Sequence, residues 1–281
     1  MRIEAMKTPD ALGEAIDRLI SVDISGRGFI AHAYPLAREK ARRPLVQAAG
    51  ERLLSAIGTQ KGAVVIIATG ATSLRLGLPV HIGETDGPAG AIALARTLAM
   101  ACGVAPFVVT DPGQGGMLSE AARSLGLYTL PPEAVIQQAR GTTHAGAIAV
   151  LEIASDDDSA DQQARQWLSQ FSPVAAIAIE KASRNEKGVY HNSSKLDSSD
   201  GKARAEMLFR RCREAGILTV GIGDGGNEIG MGSIRERLAV CFPQLAKCAC
   251  PCGGSILASE PVDCLITADR KSTRLNSSHT V

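Results

Sequence analysis

The spacing of apolar residues along the chain changes near residue 64. Before it, Leu12, Ala15, Ile16 and Leu19 recur at helical intervals within residues 10–20, and Leu45, Ala48, Ala49, Leu53, Leu54 and Ile57 do so within 45–57. That spacing gives a helix one face to bury. A glycine-containing loop, Ser25-Gly26-Arg27-Gly28, separates the two. From Val64 onward short apolar runs alternate with amphipathic stretches, the sequence form of successive βα units on a mostly parallel sheet. Strands are predicted near 64–69, 107–110, 148–153, 175–179 and 217–222. Pro88 to Cys102 reads as a helix with proline in its first turn and Ile92, Ala95, Leu98, Ala99 and Cys102 on one face. Asp157 to Phe171 opens on acids and turns Ala160, Ala164, Trp167, Leu168 and Phe171 inward. Asp200 is positioned to cap a helix running to Ala215, with Ala203, Met207, Leu208 and Cys212 inward and Gly216 as its stop. The expected fold is α/β, a largely parallel sheet flanked by helices, with a helical N-terminal segment over 1–62 inside one domain spanning 1–269. Ser193–Ser199 reads as a mobile loop. Residues 270–281, polar and without an apolar face, are taken as a disordered or non-native tail, exposed and with few contacts.

What ends each apolar run changes this picture from fold to chemistry. Ile217–Ile222 is followed by Asp224-Gly225-Gly226-Asn227-Glu228, Phe107–Val109 by Thr110-Asp111, and Ala176–Ile179 by Glu180, while Val64–Ile67 leads to Glu84-Thr85-Asp86-Gly87-Pro88. Buried strands that end in acid and glycine mark the carboxyl edge of an α/β enzyme sheet. Several acids are therefore expected around one cleft. An extended Glu84-Thr85-Asp86 would point both carboxylates the same way, beside the free N–H groups of the next helix, and so suit a hard divalent cation. Capping by Asp86 or Thr85 is the plainer use, but it accounts for only one of the two acids. Gly225 and Gly226 allow backbone to approach a ligand closely, although the stretch has neither the lysine of a Walker loop nor the Rossmann spacing. A structural turn is the alternative there.

Composition narrows the partner. Thirty basic against 29 acidic residues leave a formal charge of +1, so no basic field draws nucleic acid or an anionic membrane. Aromatic content of 3% leaves few platforms for stacking bases. A small molecule is the expected partner. Charges spread through the first twenty residues argue against a secretory h-region or a membrane span, and the chain is read as cytoplasmic, with self-association left open. Seven cysteines form no disulfide framework. Cys248, Cys250 and Cys252 are either incidental or a soft-metal site, which only Cys264 among the remaining thiols is placed to complete. Arg184 could clamp a carboxylate, and Tyr190 or His191 could move protons. Plainer readings make Arg184 a surface charge and His191 a packed or capping residue, and Asp111 is a ligand or a turn former.

Gly-Glu-Thr-Asp-Gly-Pro at 83–88, Ile-Glu-Lys-Ala-Ser-Arg-Asn at 179–185, Gly-Val-Tyr-His-Asn at 188–192 and Gly-Ile-Gly-Asp-Gly-Gly-Asn-Glu-Ile-Gly-Met-Gly at 221–232 together resemble the D-glutamate cyclase family, over about Leu19 to Thr267. The resemblance implies a hydro-lyase that converts D-glutamate to 5-oxo-D-proline and water. Members of that family continue past the final strand into a segment bearing Asn-Trp-Gly and a closing helix, so this sequence reads as truncated. If the missing residues border the pocket, the chain would be unstable or inactive. On this reading a divalent metal (Mn2+ or Mg2+, with no organic cofactor) is held by Glu84, Asp86, Asp224 and Glu228. Asp224, Glu228, Glu180 and His191 are the catalytic candidates, and Arg184, Asn185, Asn192, Asn227, Gly225 and Gly226 the substrate-binding ones. The rivals are a metal-dependent phosphohydrolase and a non-catalytic protein that binds a D-amino acid or a metal.

Overall fold

A computed structural model describes residues 9–24, 26–70, 72–74, 81–84, 86–141 and 146–269. The tail over 270–281, Ser25 and Thr85 lie outside the described residues. Helices α1 (Pro9–Ile20), α2 (Phe29–Ala41) and α3 (Leu45–Ile57) come first. Strand β1 (Val64–Thr69) leads through the small antiparallel pair β2 (Thr72–Leu74) and β3 (His81–Gly83) into α4 (Pro88–Cys102). There follow β4 (Ala105–Thr110), α5 (Gly115–Ser124), β5 (Tyr128–Thr129), α6 (Pro132–Arg140), β6 (Ala147–Glu152), α7 (Asp157–Phe171) and β7 (Ala175–Ile179). The chain ends in α8 (Ala205–Glu214), β8 (Leu218–Gly223), α9 (Arg235–Cys241) and β9 (Cys264–Thr267).

Seven strands form one sheet in the order β5-β6-β4-β1-β7-β8-β9, and every neighbouring pair is parallel. The runs Val64–Thr69, Ala105–Thr110 and Ala175–Ile179 are buried throughout, as continuous apolar strands covered on both faces must be. After β1 the chain adds β4 beside it, sets β5 at the edge and then inserts β6 between those two. It then returns to the other flank of β1 with β7, β8 and β9. The β1/β7 boundary is therefore the topological switch point, and a crevice opens there at the carboxyl ends of the strands. Helices α2 and α3 pack against β9, which brings the loop before α2 to that same edge.

Helix α4 buries Ile92, Ala95 and Leu98, and α7 buries Ala160, Ala164 and Trp167, as their periodicity predicts. Two expectations fail for identifiable reasons. Helix α8 begins at Ala205 rather than after Asp200, because the preceding backbone is already bonded elsewhere: Ala203 N donates to Asp111 and Arg204 N to the Ala154 carbonyl. In α1, Leu12 and Leu19 are 49% and 58% exposed, while Asp17 is fully buried. The Asp17 carboxylate accepts from Leu45 N (2.6 Å), Val46 N (3.1 Å) and the Tyr34 hydroxyl (3.0 Å). An acid thus satisfies the open N-terminus of α3 from a neighbouring helix, and this contact, not the apolar row, sets how α1 faces the core. Helices α2, with Pro35 inside it, α5, α6 and α9 come in addition to the predicted elements.

Candidate active site at the carboxyl edge of the sheet

The turn after β8 is shaped by its own glutamate. Glu228 folds back so that Oε1 accepts from Asp224 N (3.1 Å) and Gly225 N (2.7 Å), and Oε2 from Gly226 N (2.8 Å). A Cβ at Gly223 would lie 2.9 Å from the Glu228 carboxyl carbon, and one at Gly225 would lie 2.8 Å from Asn227 Oδ1. Glycine at these positions is what lets the carboxylate curl inward. Glu180, leaving β7, has φ 53, a left-handed conformation that costs about 1–3 kcal/mol for a non-glycine residue and persists only when its surroundings enforce it. They do so here. Glu180 N bonds Ile222 O (3.1 Å), Ile229 N bonds Lys181 O (2.8 Å) and Ser183 N bonds Asn227 O (2.9 Å). As a result, carboxylate oxygens of Glu180, Asp224 and Glu228 lie within 4.8 Å of one another.

Cations surround this cluster. Arg27 Nη2 lies 2.7 Å from Asp224 Oδ2 and 3.6 Å from Asp269 Oδ1. Burial alone would lower the Arg27 pKa, but the field of Asp224, Glu228, Asp269 and Glu180 outweighs it and raises it. Toward β4, the buried Lys181 donates to the Gly70 carbonyl (2.8 Å) and pairs with the buried Asp111. Lys202 is buried beside them, and burial pushes its pKa down against the opposing pull of Asp111 and Glu84. Gly87, at the start of α4, packs so closely that a Cβ there would sit 2.8 Å from Thr69 Oγ1 and 2.9 Å from Glu180 Cβ. The N-terminus of α4 therefore overlies the switch-point crevice. A separate groove of about 450 Å³, lined by Gln60, Val64, Glu133 and Arg140 among others, opens at the opposite edge of the sheet. It is remote from these charges.

The other predicted residues divide around this centre. Glu84 stands on the Lys202 side and Asp86 in the half-buried turn before Gly87; among the described residues neither belongs to the Glu180, Asp224 and Glu228 cluster. Arg184 has carboxylate partners already, with Nη1 on Asp157 (2.8 and 2.9 Å) and Nε on Glu206 (2.6 Å). Tyr190 is fully buried, donates to Glu206 (2.6 Å), and has its pKa raised by burial and by that carboxylate. Asn185 Oδ1 accepts from Lys187 N and Val189 N while its Nδ2 donates to Ser255 O (2.7 Å), and Asn192 Oδ1 accepts from Leu196 N. Both fasten loops. Gly226, at φ 93, carries the turn, and Asn227 Nδ2 donates to the His191 carbonyl (2.8 Å).

His191 turns its ring away from the acids. Nε2 lies 3.2 Å from Cys250 Sγ and 3.7 Å from Cys252 Sγ, and Cys248 Sγ lies 3.4 Å from both of those sulfurs. Burial lowers the His191 pKa despite the acids Asp197 and Glu186. Cys264, the thiol expected to complete a cysteine site, instead takes Arg52 Nη1 at 3.4 Å on the β9 side.

Sequence reasoning overlooked Arg27, Lys181 and Lys202. Lys181 had a usable signal in its place directly after an acid at a strand end. Arg27 and Lys202 reach the crevice through loops whose course no periodicity reports. As a donor set, Glu180, Asp224 and Glu228 offer hard oxygens suited to a divalent cation, with Arg27 as their cation in this structure.

A family model described as D-glutamate cyclase-like, C-terminal, matches residues 16–269. The human protein "D-glutamate cyclase, mitochondrial" is 27% identical over 177 residues, covering 59% of this chain and 26% of that protein. The chain thus spans about a quarter of that relative's length. Among solved structures, the C-terminal domain of the coenzyme A biosynthesis bifunctional protein CoaBC matches at 14% identity and TM-score 0.29, over 58% of this chain and 64% of its own. A short-chain type dehydrogenase/reductase from Mycobacterium ulcerans matches at 13% identity and TM-score 0.31, over 58% of this chain and 52% of its own. These two likenesses are too slight to bear on function. The family match spans every strand of the sheet and all the acids and lysines gathered at its carboxyl edge, and the chain belongs to the D-glutamate cyclase-like, C-terminal family.

Proposed function

We propose that the switch-point crevice binds D-glutamate and closes it to 5-oxo-D-proline with release of water. The observation that carries this reading is the charge layout, with three carboxylates clustered at β7 and β8 and buried lysines next to them at β1 and β4. An amino dicarboxylate presents the complementary pattern. Its ammonium suits Glu180 and Asp224, and its carboxylates suit Arg27, Lys202 and the N-terminus of α4.

Ring closure forms a bond from the α-nitrogen to the δ-carbon and breaks one C–O bond of the γ-carboxylate. The nitrogen sheds two protons, and the departing oxygen needs two, so the step balances without an outside reactant. Glu180 or Asp224 would accept protons from the nitrogen. Lys202, made a stronger acid by its burial, would deliver one to the leaving oxygen, the carboxyl group protonated by the nitrogen would pass on the second, and the other proton shed by the nitrogen would restore Lys202. Holding both ends of the chain folds the substrate toward its near-attack conformer. A divalent ion held by Glu180, Asp224 and Glu228 would supply Lewis-acid polarisation of a carboxylate. Glu228, whose two oxygens are tied to three backbone N–H groups, keeps the turn in shape for Asp224.

Incubation of the protein with D- or L-glutamate, with and without Mn2+ or Mg2+, followed by chiral chromatography of 5-oxoproline, tests the reading. The expected outcome is preferential conversion of D-glutamate. Saturable binding of D-glutamate with no 5-oxoproline under any of these conditions would instead identify a binding protein.

A further inference from the structure

We propose that Cys248, Cys250, Cys252 and His191 form a closed tetrahedral zinc site that fastens the connection between β7 and α8 to the segment before β9. This site is separate from the acidic cluster, and its existence does not depend on the activity proposed for that cluster.

The geometry comes first. Zn–S bonds of about 2.3 Å and Zn–N bonds of about 2.0–2.1 Å at tetrahedral angles put ligand sulfurs roughly 3.8 Å apart and sulfur and nitrogen roughly 3.5 Å apart. The measured separations are 3.4 Å for Cys248 to Cys250, 3.4 Å for Cys248 to Cys252, 3.2 Å for His191 Nε2 to Cys250 and 3.7 Å to Cys252. All four donor atoms lie within 4.8 Å of one another. A disulfide would require about 2.05 Å between sulfurs and would strand the third thiol. All three cysteines are free. Three thiols and an imidazole nitrogen gathered within 4.8 Å, at separations a few tenths of an ångström from the tetrahedral edges, suit a soft, four-coordinate ion, and three cysteines with one histidine is a closed structural zinc set.

The surrounding chain is arranged for thiolates. Gly254 N donates to Cys252 Sγ (3.4 Å), and Asn185 Nδ2 approaches the same sulfur at 3.7 Å. Cys248 N bonds Gly254 O (2.9 Å), closing the Cys-Ala-Cys-Pro-Cys-Gly-Gly stretch into a tight loop, and Gly253 takes φ 69 at its bend. Two loops meet here and are already joined by hydrogen bonds. Ala249 N bonds Lys195 O (3.0 Å), and Lys195 Nζ bonds Gln244 O (2.6 Å). An ion would lock the junction, and through the bond from Asn227 to the His191 carbonyl it would also brace the acidic turn.

Elemental analysis of protein purified under reducing conditions tests the site. About one zinc per chain is expected, resistant to gel filtration and released when the thiols are blocked. Reconstitution of metal-stripped wild-type protein with cobalt(II) should give the intense visible absorption of a tetrahedral thiolate complex, a readout that needs no variant to fold. Cys252→Ser should lose that spectrum and at least tenfold in metal affinity, while Cys264→Ser, whose thiol sits with Arg52, should retain both. Absence of stoichiometric zinc after reconstitution, a weak octahedral cobalt spectrum, or equal metal loss in Cys264→Ser would overturn the proposal.

Discussion

The acidic crevice and the thiol cluster lie on two sides of one residue, Asn227, and they offer opposite kinds of donor, carboxylate oxygens in one and thiols with an imidazole in the other. In the crevice the chain supplies its own cations: Arg27 sits on Asp224, and Lys181 on Asp111, with Lys202 beside them. At the thiol cluster three sulfurs converge with the His191 imidazole, and Glu186 nearby is paired with Arg235. A pocket that sets carboxylates beside cations of the same chain presents both charges to the ammonium and carboxylates of a substrate. Three thiols and an imidazole nitrogen within 4.8 Å of one another are suited to a permanently held ion. Hard and soft donors are thereby kept apart although both grow from connections at the same edge of the sheet.

The comparison can be broken at several points. The largest effect is expected from Asp111→Ala, which leaves the Lys181 ammonium buried without its counter-ion. Removing one partner of a buried pair typically costs about 3–5 kcal/mol, and urea unfolding should show a loss of that size. A change under 1 kcal/mol would mean that the crevice does not rely on internal compensation. Next comes Lys202→Met, for which kcat/KM for D-glutamate should fall about a hundredfold, roughly 2.7 kcal/mol. The sign of its pH dependence is fixed. Lys202 acts as the protonated acid and its pKa is lowered by burial, so the wild-type rate should decline as pH rises through that depressed value, below the ordinary lysine range. The variant should lose this alkaline limb. Asn227→Ala sharpens the comparison, because it cuts the link between the two regions and strips the His191 carbonyl of its donor. An unsatisfied buried acceptor costs about 1–3 kcal/mol, so Tm should drop modestly, with cyclisation weakened while zinc content persists. The smallest change belongs to Leu19→Gln, at an exposed position outside both regions, where stability should stay within about 0.5 kcal/mol. A larger loss on dilution would reveal that α1 is covered in an assembly.

How much of this was legible follows from the range of the interactions. Continuous apolar runs such as Val64–Ile67 and Ala175–Ile179 reported a buried parallel sheet because their environment is the same on both faces. The Gly225-Gly226 turn was readable as special, since Asn227 and Glu228 close in on Gly225 while Gly226 takes φ 93 against Leu257. The partnership of Glu180 with Asp224 and Glu228 was readable in part, because all three follow strand ends. The Arg27 contact was not, because it depends on how α2 and α3 wrap β9. Nor was the pairing of His191 with the cysteines, which lie some sixty residues away in sequence and are joined by loop courses that leave no periodic trace. Arg184 illustrates a further limit. Its motif suggests a carboxylate clamp, and a clamp is what it forms, but on Asp157 and Glu206 of its own chain.

The central claim is best tested by comparing wild-type protein with Asp224→Asn for formation of 5-oxo-D-proline from D-glutamate. Asparagine keeps the volume and the turn while removing the charge. Turnover by the wild type is expected, with a loss of kcat/KM on the order of a hundredfold in the variant and thermal stability unchanged within about 1 kcal/mol. Equal cyclisation by both proteins at saturating and subsaturating metal would contradict it, leaving Asp224 as a turn residue and the crevice without its proposed chemistry.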